Sequence, residues 1–285
     1  MRIADKFKEK KTVFSFEVFP PKKTSPINTV FNALEQMKNL SPDYFSVTYG
    51  AGGSNPDNTV EIASKIKNDY GIEALAHLTC INSAKSDIDA VLDNLKANNI
   101  NNILALRGDL SPDISPKTDF KYAGELCSYI KSRDGFNVAG ACYPEVHIEA
   151  ENQVEDILNL KKKVDAGAEF LITQLFFDNS VFYRFIEHAK IAGINVPIEA
   201  GIMPVTNKKQ IERMVSMCGV SLPSKFAKIM QKYENNPEAL RDAGIAYSVE
   251  QIVDLLANDV DGIHLYTMNN PYVAEKIKKA VDALL

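Results

Sequence analysis

Short apolar runs separated by longer amphipathic segments recur along this chain of 285 residues. They return at intervals of roughly thirty residues, which is the length of one strand–helix–strand unit. Eight such runs alternating with helical segments predict an α/β fold whose parallel strands close into a (β/α)8 TIM barrel. The runs are Val13–Val18, Tyr44–Thr48, Glu73–His77, Ile103–Leu106, Val138–Tyr143, Phe170–Gln174, Ile198–Ile202 and Gly262–Tyr266.

The segments between the runs have helical periodicity. From Ile27 to Leu40, apolar residues stand three and four positions apart, which places them on one face of a helix. Similar spacing predicts helices at Asn58–Asn68, Ser86–Ala97, Tyr122–Ser132, Gln153–Asp165, Asn179–Ala192, Lys208–Met217 and Tyr272–Leu284.

Extra helical stretches between Ser221 and Asn258, broken at Pro223 and Pro237, precede the last strand. We interpret them as an insertion on the rim or flank of the barrel. Because no linker rich in Pro, Ser or Gly interrupts the chain, we expect residues 1–285 to form one domain.

Composition and charge narrow the class of protein. The net charge of −5 argues against nucleic acid as a partner, because a polyanion selects a basic surface. No run approaches the roughly twenty apolar residues that cross a bilayer, and the charged N-terminus lacks the apolar core of a secretory signal. The four cysteines are far apart, so neither a disulfide framework nor a zinc site is expected. We expect a cytoplasmic protein.

Polar residues stand at or just beyond the end of almost every run. In a (β/α)8 barrel all strands point their C-terminal ends at one rim, where active sites form. Residues that are distant in sequence therefore converge there, which predicts an enzyme. These residues are Glu17, Thr48, His77, Arg107, Asp109, Tyr143, Glu145, His147, Gln174 and Tyr266.

Glu17 stands between aromatic and apolar neighbours in the segment FSFEVFPP. A carboxylate on a strand that enters the barrel core is costly to ionise. We therefore expect burial to raise its pKa, which suits a general acid near neutral pH. The alternative is a glutamate that faces a buried basic partner or lies exposed at an edge.

The other polar residues leave alternatives open. His77 is either a catalyst or a packed, hydrogen-bonded core residue. Arg107 and Asp109 either point into the rim or form an ion pair with each other. Glu145 and His147 share one side of an extended segment, but no third ligand is evident, so we expect no metal site.

Together and in this order, these segments resemble the methylenetetrahydrofolate reductases, specifically the short bacterial type. The resemblance runs from residue 15 to residue 205 and returns weakly at HLYTMNN. It implies a barrel that holds FAD noncovalently, with NADH or NADPH and a folate reacting in turn beside the flavin, and a homo-oligomer such as relatives form. The matching stretches are SFEVFPP, FSVTYGAGG, AHLTC, LALRGDL, YPEVH, LNLKKKVDAGAEFLITQLFFD and GIMPV.

The resemblance also implies roles for single residues. Glu17 is the general acid that protonates N10 of 5,10-methylenetetrahydrofolate, after which hydride from N5 of the reduced flavin gives 5-methyltetrahydrofolate. Asp109 holds the folate and stabilises its cation. Gln174 binds the folate, and Gln210 matches a residue that contacts nucleotide or folate. The matching flavin contacts are Thr48, His77, Leu106, Arg107, Gly108, Asp109, Tyr122, Ala141, Tyr143, His147, Asp156 and Lys163.

Two positions depart from the family pattern. Met214 stands where a relative has a phenylalanine that stacks on the substrate, and Asn270 replaces an arginine that helps to bind it. Two other functions therefore stay open. One is a FAD barrel subunit that receives electrons from a partner protein; the other is a different flavin or pterin barrel enzyme, such as a proline-dehydrogenase-like oxidase or a pterin-dependent methyltransferase.

Overall fold

A closed barrel of eight parallel strands forms the centre of the computed structural model, which describes residues 1–22, 24–49, 56–110, 117 and 119–285. The strands pair in chain order, and the last closes against the first. The predicted TIM barrel is confirmed, with strand ends that differ from the predicted ones by at most two residues. The strands are β1 Val13–Val18, β2 Tyr44–Val47, β3 Glu73–Thr79, β4 Asn102–Leu106, β5 Asn137–Cys142, β6 Phe170–Thr173, β7 Ile198–Ile202 and β8 Gly262–Tyr266.

Helices connect the strands and surround the barrel. Those in the described residues are α1 Ile3–Glu9, α2 Asn28–Met37, α3 Pro56–Ser64, α4 Lys85–Ala97, α5 Ala123–Lys131, α6 Gln153–Asp165, α7 Asn179–Ile191, α8 Lys208–Cys218, α9 Ser224–Tyr233, α10 Pro237–Ala257 and α11 Pro271–Val281. Short 3-10 turns follow α2 and α11, and a π-helical turn, Lys65–Asp69, follows α3.

Alternate residues of each strand face the barrel interior. In β1, Phe14 and Phe16 pack against the helix layer, so Ser15 and Glu17 point inward. The interior near the N-terminal ends of the strands is mainly apolar, with Val13, Leu75, Leu104, Ala139, Phe170 and Ile172 in one cluster. Polar inward residues of β1, β2, β3 and β8 lie closer to the opposite, C-terminal rim.

The helix α1, which the sequence pattern did not predict, closes the N-terminal end of the barrel. Ile3 is fully buried and packs in the interior cluster with Val13, while its backbone N–H donates to Asn102 Oδ1 at 3.1 Å. Arg2 forms an ion pair with Glu169 at 2.7 Å. A helix of seven residues is too short to be stable by itself, so these tertiary contacts decide its formation.

Three helices connect β7 to β8, and α8 and α9 cover one side of the rim. Their apolar residues form a second cluster with residues that follow β6 and β7. The helix α10 approaches the loop after β7 so closely that a Cβ at Gly244 would lie 1.8 Å from the carbonyl oxygen of Val205. The predicted extra helices before β8 are confirmed, with Pro223 and Pro237 at the N-terminal ends of α9 and α10.

Candidate active site

The inward-facing carboxyl group of Glu17 is the centre of a polar cluster near the C-terminal rim. Its Oε2 lies 3.4 Å from Nε2 of His264 and 3.6 Å from Nε2 of His77. Ser46 Oγ donates to the same oxygen at 3.4 Å. The Glu17 side chain is 18% exposed, whereas the two imidazole rings are buried. The carboxyl group is therefore the member of the cluster that a ligand at the rim can reach.

The expected high pKa of Glu17 is wrong for this structure. Burial alone would raise the pKa, but the hydrogen bond from His264, the neighbouring imidazoles of His77 and His264, and the hydrogen bond from Ser46 hold it below its ordinary value. Glu17 is therefore a carboxylate at neutral pH, and the alternative of a buried basic partner applies. The sequence does not reveal this because the partners come from β2, β3 and β8.

His77 is an interior neighbour of Glu17 rather than the last residue of its strand. The strand β3 continues to Thr79, and His77 Nε2 lies 2.9 Å from Ser46 Oγ. Burial lowers the pKa of His77 to about 4, although the charge of Glu17 acts in the opposite direction. The ring is therefore neutral at pH 7, and its hydrogen bond to Ser46 fixes it beside the carboxylate.

A second polar group lies beyond β4 and β5 and contains four of the predicted flavin contacts. The Arg107 guanidinium forms a bidentate ion pair with Glu149, with the Nη2–Oε1 distance at 2.7 Å. His147 Nδ1 accepts from the Glu149 backbone N–H at 3.1 Å, and its ring meets Tyr143 edge-on with centroids 4.6 Å apart. Asp156 Oδ2 accepts from the His147 backbone N–H at 3.0 Å. The ionic partner of Arg107 is thus Glu149, not Asp109.

The turn that carries His147 has a strained backbone. Val146 has a φ of 74°, in the left-handed region that β-branched residues rarely adopt. Such a conformation costs about 1–3 kcal/mol and persists where the surroundings enforce it. Here Glu145 Oε2 accepts from the Ser221 backbone N–H at 2.8 Å, which ties the turn to the segment after α8.

Lys163 packs against the outside of β5 instead of facing solvent. Its Nζ donates to the Ala141 carbonyl oxygen at 2.6 Å, and burial lowers the pKa of the ammonium group. Gly140 makes room for the side chain, because a Cβ there would lie 2.8 Å from Lys163 Cδ. On the neighbouring strand, Leu106 packs against the interior apolar cluster.

Asp109 and Tyr122 are exposed at the rim. Asp109 follows Gly108, which has a φ of 85°. Burial and then the charge of Asp109 raise the pKa of the Cys218 thiol, and the same carboxylate contributes to the raised pKa of Tyr143. Asp109 therefore lies near both of these residues. Tyr122, which is 54% exposed, precedes α5 and forms no hydrogen bond, ion pair or ring contact with this group within the part of the chain that the structure describes.

The two predicted folate-binding amides differ in their environments. Gln174 follows β6 and its Oε1 accepts from the Leu175 backbone N–H at 2.9 Å. Gln210 in α8 uses both ends of its amide: Oε1 accepts from the Thr206 N–H at 3.1 Å, and Nε2 donates to the Pro204 carbonyl at 3.3 Å. Gln210 thus stabilises the loop between β7 and α8.

The two departures from the family pattern have local roles here. Met214 packs in the apolar cluster formed by α8 and α9. Asn270 is the N-cap of α11, where its Oδ1 accepts from the Val273 backbone N–H at 3.3 Å.

The rim offers groups that fit a flavin dinucleotide. Thr48 Oγ1, just beyond β2, is buried and has no hydrogen-bond partner among the residues that the structure describes. A buried hydroxyl without a partner is unfavourable, and a polar atom of a ligand would satisfy it. Arg107 adds a half-buried cation suited to a pyrophosphate. The glycines that follow Thr48, at positions 50, 52 and 53, lie outside the described residues.

The sequence analysis missed a chain of polar residues below Glu17. Ser15 Oγ lies 2.6 Å from His264 Nδ1 and 3.1 Å from Glu199 Oε1, and the Tyr44 hydroxyl donates to Glu199 Oε2. Ser15, His264, Glu199 and Tyr44 are all fully buried. The signal was available in part, because Ser15 stands two positions before Glu17 and so shares its inward direction.

Comparison with known proteins identifies the family. A family model described as methylenetetrahydrofolate reductase matches residues 2–282. The chain is 37% identical to methylenetetrahydrofolate reductase (NADH) 1 of Arabidopsis thaliana, an alignment that covers 94% of this chain and 49% of the relative. It is 38% identical to the 5,10-methylenetetrahydrofolate reductase of Escherichia coli, with 90% and 86% covered. The chain thus spans about half the length of the plant relatives it matches.

Solved structures show the same fold at low sequence identity. An uncharacterized protein from Clostridium thermocellum that binds two copies of 5-methyl-5,6,7,8-tetrahydrofolic acid has a TM-score of 0.70 at 14% identity, covering 98% of this chain and 97% of the other. A tryptophan synthase α-subunit from Pyrococcus furiosus has a TM-score of 0.58 at 11% identity, covering 96% and 97%. None of the helices in the described part of the chain is both long and apolar enough to span a membrane.

Proposed function

Because the chain belongs to the methylenetetrahydrofolate reductase family, we propose that it reduces 5,10-methylenetetrahydrofolate to 5-methyltetrahydrofolate with electrons from NADH or NADPH. The observation that carries this proposal is the carboxyl group of Glu17, which is held by two histidines and a serine and partly exposed towards the rim. A positioned carboxyl group at the C-terminal end of a barrel strand is suited to proton transfer.

We propose that FAD is the resident cofactor, held within one domain formed by residues 1–285. When bound, FAD supplies hydride transfer between the nicotinamide nucleotide and the folate. On the protein side, Thr48 would gain a partner for its buried hydroxyl, and Arg107 would bind the pyrophosphate. Tyr143 and His147 line the same part of the rim. Asp156 supports the His147 backbone, and Lys163 supports β5 from outside.

We propose Glu17 as the general acid that protonates N10 of the folate. It is a carboxylate when the rim is open, so it must take up a proton before it can donate one. A bound folate excludes water from the exposed part of its side chain and thereby raises its pKa. The two histidines and Ser46 keep the carboxyl group in one orientation throughout.

Asp109, Gln174 and Gln210 are the proposed folate contacts. Asp109 is exposed at the rim, where its negative charge stabilises a cationic folate intermediate. Gln174 stands at the end of β6 with a half-buried amide. Contact between Gln210 and a ligand requires that its amide exchange a hydrogen bond within its own loop for one to the ligand.

We also propose that the protein is cytoplasmic and forms a homo-oligomer. The four cysteines form no disulfide, which suits a reducing compartment. The relatives support the proposed substrate, and the fold supports a rim that binds small molecules.

An anaerobic absorbance experiment tests the activity. The purified protein is loaded with FAD, reduced with NADH or NADPH, and then mixed with 5,10-methylenetetrahydrofolate. We expect the flavin absorbance to be lost on reduction and to return with the folate. If neither nucleotide reduces the flavin, but dithionite reduces it and the folate then reoxidises it, the result indicates that a partner protein is the electron donor. A protein that binds no FAD contradicts the proposal.

A further inference from the structure

A buried carboxyl group lies deep in the barrel, in the part that is otherwise filled mainly by apolar side chains. Glu199 is on β7 and is fully buried. The neighbouring position on β8 is Gly262, where a Cβ would lie 2.5 Å from Glu199 Cγ. The fold thus keeps space for this carboxyl group. Replacing such a group by an apolar residue is often neutral or stabilising, so packing alone does not explain it.

The surroundings of Glu199 favour the protonated form of its carboxyl group. Burial raises its pKa well above the ordinary value, although the hydrogen bonds that it shares with Tyr44 and Ser15 act in the opposite direction. The charges of Asp43 and Asp261 raise it further. Because the Tyr44 hydroxyl donates to Oε2, the acidic proton belongs on Oε1, which faces Ser15.

A continuous hydrogen-bonded path joins this proton to Glu17. Glu199 Oε1 lies 3.1 Å from Ser15 Oγ, Ser15 Oγ lies 2.6 Å from His264 Nδ1, and His264 Nε2 lies 3.4 Å from Glu17 Oε2. If each group donates to the next, His264 accepts on Nδ1 and directs its Nε2 proton at the carboxylate. All four groups are then satisfied in a single direction, from Glu199 to Glu17.

We propose that Glu199 stores the proton that Glu17 uses as a general acid, and that Ser15 and His264 transfer it. This inference rests on the proposed function. When a folate covers Glu17, His264 gives its Nε2 proton to Glu17 Oε2. The Nδ1 atom of His264 takes the hydroxyl proton of Ser15, and Ser15 takes the proton of Glu199. Glu17 is then neutral, and the new Glu199 carboxylate accepts hydrogen bonds from Tyr44 and Ser15.

One stored proton is sufficient for each turnover. Reduction of the methylene group adds one hydride and one proton to the substrate, and the bound ligand separates Glu17 from water while this occurs. After the product leaves, water reaches Glu17 again and protonates it. The same path then runs in reverse and returns the proton to Glu199.

Other ionisable groups face both ends of the path. His77 and Tyr266 stand beside Glu17, and both are neutral at pH 7 because burial lowers the pKa of the imidazole and raises that of the phenol. Asp43 and Asp261 lie near Glu199. Asp43 pairs with Lys10 at 2.6 Å, and Asp261 accepts from the Ile198 backbone N–H at 2.9 Å.

The pH profile of the folate half-reaction tests the stored proton. Reduced holoenzyme is mixed with 5,10-methylenetetrahydrofolate at pH values from about 6 to about 9, where a solvent-supplied acid becomes scarce. We expect a nearly flat profile for the unmodified protein. In Glu199→Gln and Ser15→Ala, the rate at the acid end of the range should match that of the unmodified protein within about twofold. At higher pH, the rate of these variants should fall about tenfold per pH unit. Glu73→Gln, which changes an inward carboxyl group outside the path, is the matched control and should keep the flat profile.

A Glu199→Gln profile that is parallel to that of the unmodified protein indicates a structural role and overturns the inference. Infrared difference spectroscopy of the ligand-free protein gives a second readout. A protonated-carboxyl stretch at neutral pH should be present and should disappear in Glu199→Gln; its absence from the unmodified protein also overturns the inference. If the unmodified protein reduces no folate at any pH, the proposed function itself fails, and the infrared result shows separately whether the proton is stored.

Discussion

At the scale of single residues, the surroundings of Glu17 decide its chemistry. A glutamate in an apolar strand suggests a high pKa, but His264, His77 and Ser46 stabilise its carboxylate form. The residue is therefore an acid only when a ligand changes its solvation. The partners of a buried charge, and not burial alone, determine which protonation state is present.

Replacing Glu17 tests its proposed role as the acid. In Glu17→Gln, we expect the folate half-reaction to slow by about 10²–10⁴-fold, because the amide cannot donate a proton to N10. Reduction of the flavin by NADH should stay within about twofold, since that step requires no acid. Stopped-flow absorbance measures both steps, and Glu35→Gln on the exposed face of α2 is the control. Normal folate turnover in Glu17→Gln would contradict the assignment.

The buried histidine His77 predicts a pH dependence of stability. Its pKa is about 4 in the folded protein and about 6.5 when unfolded, so between these values the unfolded chain binds the extra proton. The free energy of unfolding should therefore fall as pH decreases from 6.5 to 4, with a contribution of about 1.4 kcal/mol per pH unit at most. Urea denaturation across this range should show a shallower decrease for His77→Gln. The exposed His188→Gln should show the original slope; equal slopes in all three proteins count against the neutral ring.

At the scale of elements, the most regular segments were the most predictable. The strands β1, β7 and β8 have the bounds that the apolar runs predicted, and α6 has those that its periodicity predicted. The strand β3 continues two residues beyond its predicted end, since polar Thr79 still pairs with β4. The short helix α1 was missed because its formation depends on the barrel end that it closes.

Shortening Ile3 tests the contribution of α1. Ile3→Ala removes buried methyl groups from the closed end of the barrel, so we expect a loss of about 2–5 kcal/mol in the free energy of unfolding. Lys8→Ala, on the exposed side of the same helix, should change stability by no more than about 0.5 kcal/mol. Equal, small effects in urea denaturation would show that α1 does not stabilise the barrel.

At the scale of the whole molecule, the barrel brings residues from distant positions to one rim. Arg107, Tyr143 and His147 form one group through Glu149 and an edge-on ring contact, whereas Tyr122 does not contact them within the described residues. The cofactor proposal therefore rests on the assembled rim rather than on any single motif.

Ligand linkage tests the rim as a FAD site. At a free FAD concentration of about 100 times its Kd, the folded state should gain about 2.7 kcal/mol, which appears as a rise in Tm. Thr48→Val keeps the side-chain shape but removes the buried hydroxyl, so its Tm should rise less at the same FAD concentration. A Tm that does not respond to FAD in the unmodified protein would contradict the cofactor proposal.

The sequence by itself determined the barrel, the extra helices before β8 and the convergence of polar residues at one rim. Those features follow from periodicity, which is local in the chain. Only the tertiary structure decided that Glu17 is a carboxylate, that Arg107 pairs with Glu149, and that Glu199 connects to Glu17 through Ser15 and His264. Each of these depends on distances between residues tens or hundreds of positions apart. Strand register and barrel closure set such distances, and a local pattern of residues does not contain them.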